Sequence, residues 1–199
     1  MSSNTGTGTR IRQWLMTGVS YMIPFVAAGG ILIALSFAIG GYDIVYVKQD
    51  EFLKAGFNIL SAHDWAYVMF AVGAAAFGFL VPVLSGFIAY AIADRPGLAP
   101  GFVGGAIAGT VGAGFLGGLI TGFLAGFIAL WLSRWKVGSW FRPMMPVVVI
   151  PLIATFITGG LMLVLLGGPL KALMDALNTW LTGLTGASII AVGIVLGLM

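Results

Sequence analysis

Between Gly114 and Gly126 the sequence sets a glycine at every fourth position, Gly114, Gly118, Gly122 and Gly126, inside the apolar stretch GFLGGLITGFLAGFIALW. On a helix such a row lies along one side and forms a groove without side chains, into which a second helix can press its backbone. In water each of these glycines would cost about 1 kcal/mol relative to alanine and would argue against a helix. In a bilayer the argument reverses, because every amide must be bonded within its own segment and close helix contact replaces the hydrophobic drive. The row therefore predicts that Asp94–Trp131 forms the close-packed core of a membrane protein, with these four glycines as helix-packing positions.

The charge content points the same way. Only 8% of the 199 residues are charged, 60% are hydrophobic and the mean hydropathy is +1.09, whereas soluble domains carry about 25% charged residues. The fold class predicted is an all-α polytopic membrane protein. Its net charge of +3 collects in the N-terminal tail and one loop rather than on a face suited to nucleic acid, which is excluded as a partner. There is no cysteine, so disulfides, thiolate metal sites and phosphocysteine chemistry are excluded within these residues. No metal site and no cofactor are expected.

Taken in order, residues 1–12 read as a disordered, cytoplasmic tail ending in Arg10 and Arg12. The uncharged run Gln13–Tyr42 is long enough to span about 30 Å of hydrocarbon, which favours a retained span over a cleaved leader. Asp43–Asp64 carries six charges with a net of −2, and the bias of basic residues toward the cytoplasm puts it outside. His63, the only histidine, is read as an interfacial residue rather than a phosphoryl acceptor or proton relay. Hydropathy alone marks two blocks, 65–93 and 101–132, yet Arg134, Lys136 and Arg142 would then fall outside. Parity asks for three crossings: spans near 65–81, 83–95 and 113–133, with an irregular or re-entrant segment at 96–112 and break points at Pro82 and Pro96–Gly101.

A fifth span is expected over Pro146–Leu166, kinked at Pro151 and closely packed at Gly159–Gly160. In the following stretch Leu170, Leu173, Met174, Leu177, Leu181 and Leu184 form one helical stripe opposite Lys171, Asp175, Asn178 and Thr182. That pattern suits a helix lying in the membrane surface, with docking on the other spans as the competing reading. The apolar run from Ala187 to Met199 reaches only about 20 Å at helical rise, and is read as a truncated sixth span.

Two passages, TGVSYMIPFVAAGGILIALSFAIGG at 17–41 and IADRPGLAPGFVGGAIAGTVGAGFLGGLITGFLAG at 92–126, resemble the membrane component, EIIC, of the bacterial fructose-type sugar phosphotransferase permeases. The order of elements agrees, and the resemblance covers nearly everything from Gln13 onward. It implies a homodimeric, multi-pass permease of the bacterial inner membrane that takes up fructose or a related hexose and releases it as a phosphate ester. The phosphoryl donor implied is a phosphorylated IIB domain or protein, itself charged through IIA, HPr and Enzyme I. The resemblance also places the sugar site and an essential glutamate near motifs like SEGAIPF and DMGGPVNK, and neither motif occurs in this sequence. Residues 13–199 are accordingly expected to be the N-terminal scaffold and dimer-interface part of an EIIC domain, incomplete at the C-terminus.

A search for chemistry independent of the resemblance is consistent with a scaffold. No Ser-His-Asp set, metal cluster or phosphate loop is recognisable, and Glu51, the only glutamate, lies in the outer loop. No catalytic residue is assigned. Asp94 and Arg95 are the weak candidates for substrate binding, since ionisable groups at membrane depth cost about 3 kcal/mol and are retained for function. The competing reading puts both at a span end near water. Two other functional classes stay open on the residues alone: a subunit of an unrelated glycine-packed transporter or channel, and a module that only dimerises.

Overall fold

The computed structural model describes residues 6–135 and 144–187, together with Gly193. Lys136, Arg142, the first residues of the expected tail and nearly all of the expected sixth span lie outside the described residues. Those described are overwhelmingly helical: α1 Thr7–Gly40, α2 Gln49–Ala55, α3 Ala62–Gly78, α4 Leu80–Ala93, α5 Arg95–Val111, α6 Gly114–Ser133, α7 Ile150–Leu161 and α8 Gly167–Ala187. Four helical runs are long and apolar enough to cross a membrane, Thr7–Gly40, Ala62–Ala93, Gly114–Ser133 and Met145–Gly183. The chain is a multi-pass, all-α membrane protein.

α1 begins at Thr7, so Arg10 and Arg12 stand in its first turns rather than in a loose tail. Its 34 residues run alongside α3 and then α4 in one antiparallel register. Gly40 meets Ala66, Gly29 meets Gly73 and Gly18 meets Ile88, while Phe37 faces Phe70, Phe25 faces Phe79 and Tyr21 stacks flat on Phe87 at 3.8 Å. α3 and α4 are thus two halves of one interrupted run, not the two separate crossings expected at 65–81 and 83–95. The interruption at Phe79 is explained by Pro82: without an N–H it leaves the carbonyl four residues back, at Gly78, without its helical donor.

The segment at 96–112, expected to be irregular or re-entrant, is a regular helix, α5, and so is not irregular. Pro96 takes its first turn, where a missing N–H costs nothing, and Pro100 is accommodated inside. The turn to α6 is a Schellman motif, with Gly112 N–H bonded to Gly109 O and Ala113 N–H to Ala108 O, and Gly112 supplying the left-handed φ of 82°. α5 is antiparallel to α4 and α6. The interval from Trp65 to Ser133 therefore holds two runs long and apolar enough to cross a membrane, α3–α4 and α6, with the 17-residue α5 antiparallel to both, where three crossings were expected.

That grouping brings Arg10, Arg12, Asp94, Arg95 and Arg134 to one end of the bundle, and the 43–64 loop to the other. α7 runs antiparallel to α6, closing a cluster of Ala129, Leu132, Met145, Ile150 and Ala154. Pro151 follows a π-helical stretch, Met145–Val149, which absorbs its missing donor where a kink was expected. A second π stretch, Met162–Leu166, leads without a loop into α8. The amphipathic stretch is helical as its stripe predicted, and its first turns rest on the α5–α6 turn: Leu170 packs with Ala108, Ala113 and Met162.

Candidate functional site

α4 is the element on which the others close. Eight of its fourteen residues are buried, Pro82 through Gly86 among them. Two of its flanking helices, α5 and α6, each offer it a row of glycines. On α6, a Cβ at Gly118 would meet Val81, one at Gly122 would stand 3.0 Å from Ile88 Cβ, and one at Gly126 2.8 Å from Ile92 Cβ. On α5, a Cβ at Gly101 would stand 2.8 Å from both Ala89 Cβ and Gly86 Cα, and one at Gly105 2.8 Å from Pro82 Cα. The clamp works because α4 supplies the side chains and its neighbours supply the notches.

Three members of the expected groove serve this seam. The fourth, Gly114, sits at the α5–α6 turn with φ +54° and meets only the end of Met174. Of the expected close-contact pair on α7, Gly159 packs on Ile107 and Gly160 faces open space. The row Gly97, Gly101 and Gly105 was not singled out from the sequence, although it has the same four-residue spacing. Its prolines drew attention as breakers instead.

Within the clamp lie three hydroxyls from three helices, all fully buried: Ser85, Thr121 and Thr158. Thr121 Oγ1 donates to its own helix at Gly117 O, 2.8 Å away, so the proton in the 3.1 Å contact between Ser85 Oγ and Thr121 Oγ1 comes from Ser85. Thr158 Oγ1 has no partner among the described residues. Its methyl fills the space over Gly104, which Thr121 approaches from the other side. The cluster is neutral and dry. It can specify how four helices fit together, and it contains no ionisable side chain.

The ionisable candidates stand elsewhere. Asp94 forms the turn between α4 and α5 with φ +56°, its carbonyl accepting from Gly97 N–H at 3.1 Å, and its side chain and that of Arg95 are exposed. They lie nine residues, about 13 Å of helix, from Ser85. The structure does not bring them together with the buried hydroxyls. His63 is exposed in the first turn of α3. Lys171 lies with its aliphatic chain over Gly112.

An open cleft of about 710 Å³ runs between the α3–α4 junction and the α5–α6 turn, lined by Phe77, Phe79, Val81, Pro82 and Thr110 among others. Thr110 is its one hydroxyl, and that group donates to Ile107 O. Such a lining has little to offer a polyol, which needs several convergent polar partners. Among the described residues no three of His, Cys, Asp and Glu come together as a metal site.

Comparison with known proteins places these features. The family described as Phosphotransferase system, EIIC matches residues 16–199. The PTS system fructose-specific EIIB'BC component of Xanthomonas campestris is 49% identical over 92% of this chain and 30% of its own length. The Fructose-like permease IIC component 2 of Escherichia coli is 39% identical over 94% of this chain and 49% of its own. The PTS system fructose-specific EIIABC component of Bacillus subtilis is 41% identical over 98% of this chain and 29% of its own. The chain thus spans half or less of the length of these relatives. No solved structure matches it.

Proposed function

The chain belongs to the phosphotransferase system EIIC family, and on that premise we propose that residues 13–199 act as the N-terminal scaffold of a permease that couples uptake of fructose or a related hexose to its phosphorylation. In this reading the sugar site lies in a C-terminal half of the kind the longer relatives contain. A phosphorylated IIB domain delivers the phosphoryl group at the cytoplasmic face, with IIA, HPr and Enzyme I upstream. The permease works as a homodimer in the bacterial inner membrane, its N-terminus in the cytoplasm.

The observation that carries this reading is the division of polar groups. Ser85 and Thr121 bond to each other across helices and the cleft is apolar, which suits a frame. For orientation, the support is the gathering of Arg10, Arg12, Arg95 and Arg134 at one end, opposite a loop of net negative charge. Asp94 and Arg95, exposed at that end, belong on this reading to the face turned toward the phosphoryl donor and not to the sugar.

The test is uptake of labelled fructose in cells lacking their own fructose permease. The chain expressed together with the C-terminal half of a close relative is expected to accumulate sugar phosphate only when phosphoenolpyruvate and IIB are supplied, and the chain alone is expected to give none. Flux of free fructose through the chain alone, without phosphoenolpyruvate, would replace the permease-scaffold reading with a channel.

A further inference from the structure

The far end of the α1–α3 pair carries a turn that is rigid and apolar at once. Leu60 is 94% exposed and Ile59 72% exposed. Five hydrogen bonds hold the backbone around them. Asp64 accepts from Asn58 N–H at 2.9 Å and from Ser61 Oγ at 3.0 Å; Ser61 Oγ accepts from Asp64 N–H; Asn58 Oδ1 accepts from Leu60 N–H; and Trp65 Nε1 donates to Ile59 O at 2.9 Å. Ser61 is the N-cap of α3, its hydroxyl accepting from Asp64 N–H, so the turn is fixed to the start of a membrane helix. Phe57 packs edge-on against Trp65 beneath it.

Two aliphatic side chains held out by such a frame forgo the gain of burial if water is all that surrounds them. A flexible loop could fold them away, but this one is pinned. What covers them is indicated by their surroundings. On α1 the exposed apolar residues Ile31, Leu35 and Ile39 are followed toward the same end by Tyr42, Val45 and Tyr46, all exposed. Trp65 and the two tyrosines make the aromatic belt that marks a bilayer boundary. Ile59 and Leu60 stand beside that belt.

We infer that the Ile59–Leu60 turn is an interfacial anchor, inserted among the headgroups and upper acyl chains of the leaflet that the 43–64 loop faces, and that it fixes the depth and tilt of the α1–α3 pair. The occupant is lipid, and the attraction is apolar. With a net charge of −2, the 43–64 loop gains nothing from anionic headgroups.

The absence of cysteine makes the test direct. Leu60→Cys and Lys54→Cys, each labelled with an environment-sensitive fluorophore, are compared in the whole chain reconstituted in phosphatidylcholine vesicles containing lipids spin-labelled near the headgroup. Quenching at position 60 is expected to exceed that at 54 by about twofold or more, and to be unchanged when a third of the lipid is phosphatidylglycerol. Adding Asp64→Ala, which frees the turn, should reduce the difference. Equal quenching at both positions, with position 60 open to aqueous iodide, overturns the inference. So does a position 60 shielded from iodide yet unquenched by spin-labelled lipid, which would mean a second protein covers the turn.

Discussion

At the level of α4 the molecule is a bundle, and at the level of α3 it is a pair. α4 touches α1, α5 and α6 and buries eight of its fourteen residues, whereas α3 buries only Ala66, Tyr67 and Gly73 of seventeen, against α1 and the Ile44–Phe52 stretch of the loop. α3 carries His63 and Asp64 in its first turn but is otherwise as free of charge as α4, so hydrophobicity alone does not separate them. The difference is where side chains are missing. α4 sits between two glycine rows that let three helices approach closely, while the α1–α3 pair has Gly40 against Ala66 and the facing Gly29 and Gly73, where a Cβ on either would stand 2.9 Å from the other's carbonyl oxygen. In lipid, close approach rather than burial decides which helices cohere.

The sharpest way to break this comparison is to fill a notch. Gly101→Leu drives a side chain into Gly86, Ala89 and the Ser85 carbonyl, and is expected to cost about 3 kcal/mol through displaced backbone. Gly109→Leu, on the same helix but with nothing within 4 Å of its Cβ, should change stability by about 0.5 kcal/mol or less. Thermal unfolding in detergent distinguishes the two, and equal losses would mean that glycine placement is not what builds the bundle. Gly118 and Gly122 replaced together by leucine should behave like Gly101→Leu.

A smaller effect is expected in the pair. Gly73→Leu would meet Ile33 and the Gly29 carbonyl, at a cost of about 1–2 kcal/mol. Because α3 leans on little besides α1, the loss should stay local. Hydrogen exchange should quicken over 26–40 and 62–77, with the amides of α4, α5 and α6 unchanged. Loss of protection in α5 would show that the pair and the bundle are one cooperative unit.

These contrasts also measure how much the sequence discloses. The spacing of Gly118, Gly122 and Gly126 marks a groove, and α6 runs over Gly114–Ser133 against an expected 113–133. What it cannot disclose is the knob: α4 has one glycine, Gly86, and reads as an ordinary apolar span, because its central place depends on what its neighbours lack. The prolines mislead for a related reason. Pro96 and Pro100 read as the end of a helix, but Pro96 falls at a first turn and Pro100 is packed into the clamp. Pro82 did mark a break, but a broken helix can continue along the same neighbour, and only the register with α1 shows that it does. The buried hydroxyls left no signal, since serine and threonine on apolar helices look alike whether they bond across helices or only to their own backbone.

The finest test of the clamp uses those hydroxyls. In a double-mutant cycle, Ser85→Ala with Thr121→Val should give a coupling of about 0.6 kcal/mol, the usual worth of a hydrogen bond between membrane helices. Thr158→Val acts on the same seam with the opposite sign. The hydroxyl is buried without a partner among the described residues, and leaving such a group unsatisfied costs about 1–3 kcal/mol. Valine keeps the shape over Gly104 and removes the cost, so the variant should unfold no earlier than the parent and somewhat later if the site stays closed. A Thr158→Val protein that unfolds earlier would mean that the hydroxyl has a partner after all, and that the bundle draws on a fourth polar contact as well as on its glycines.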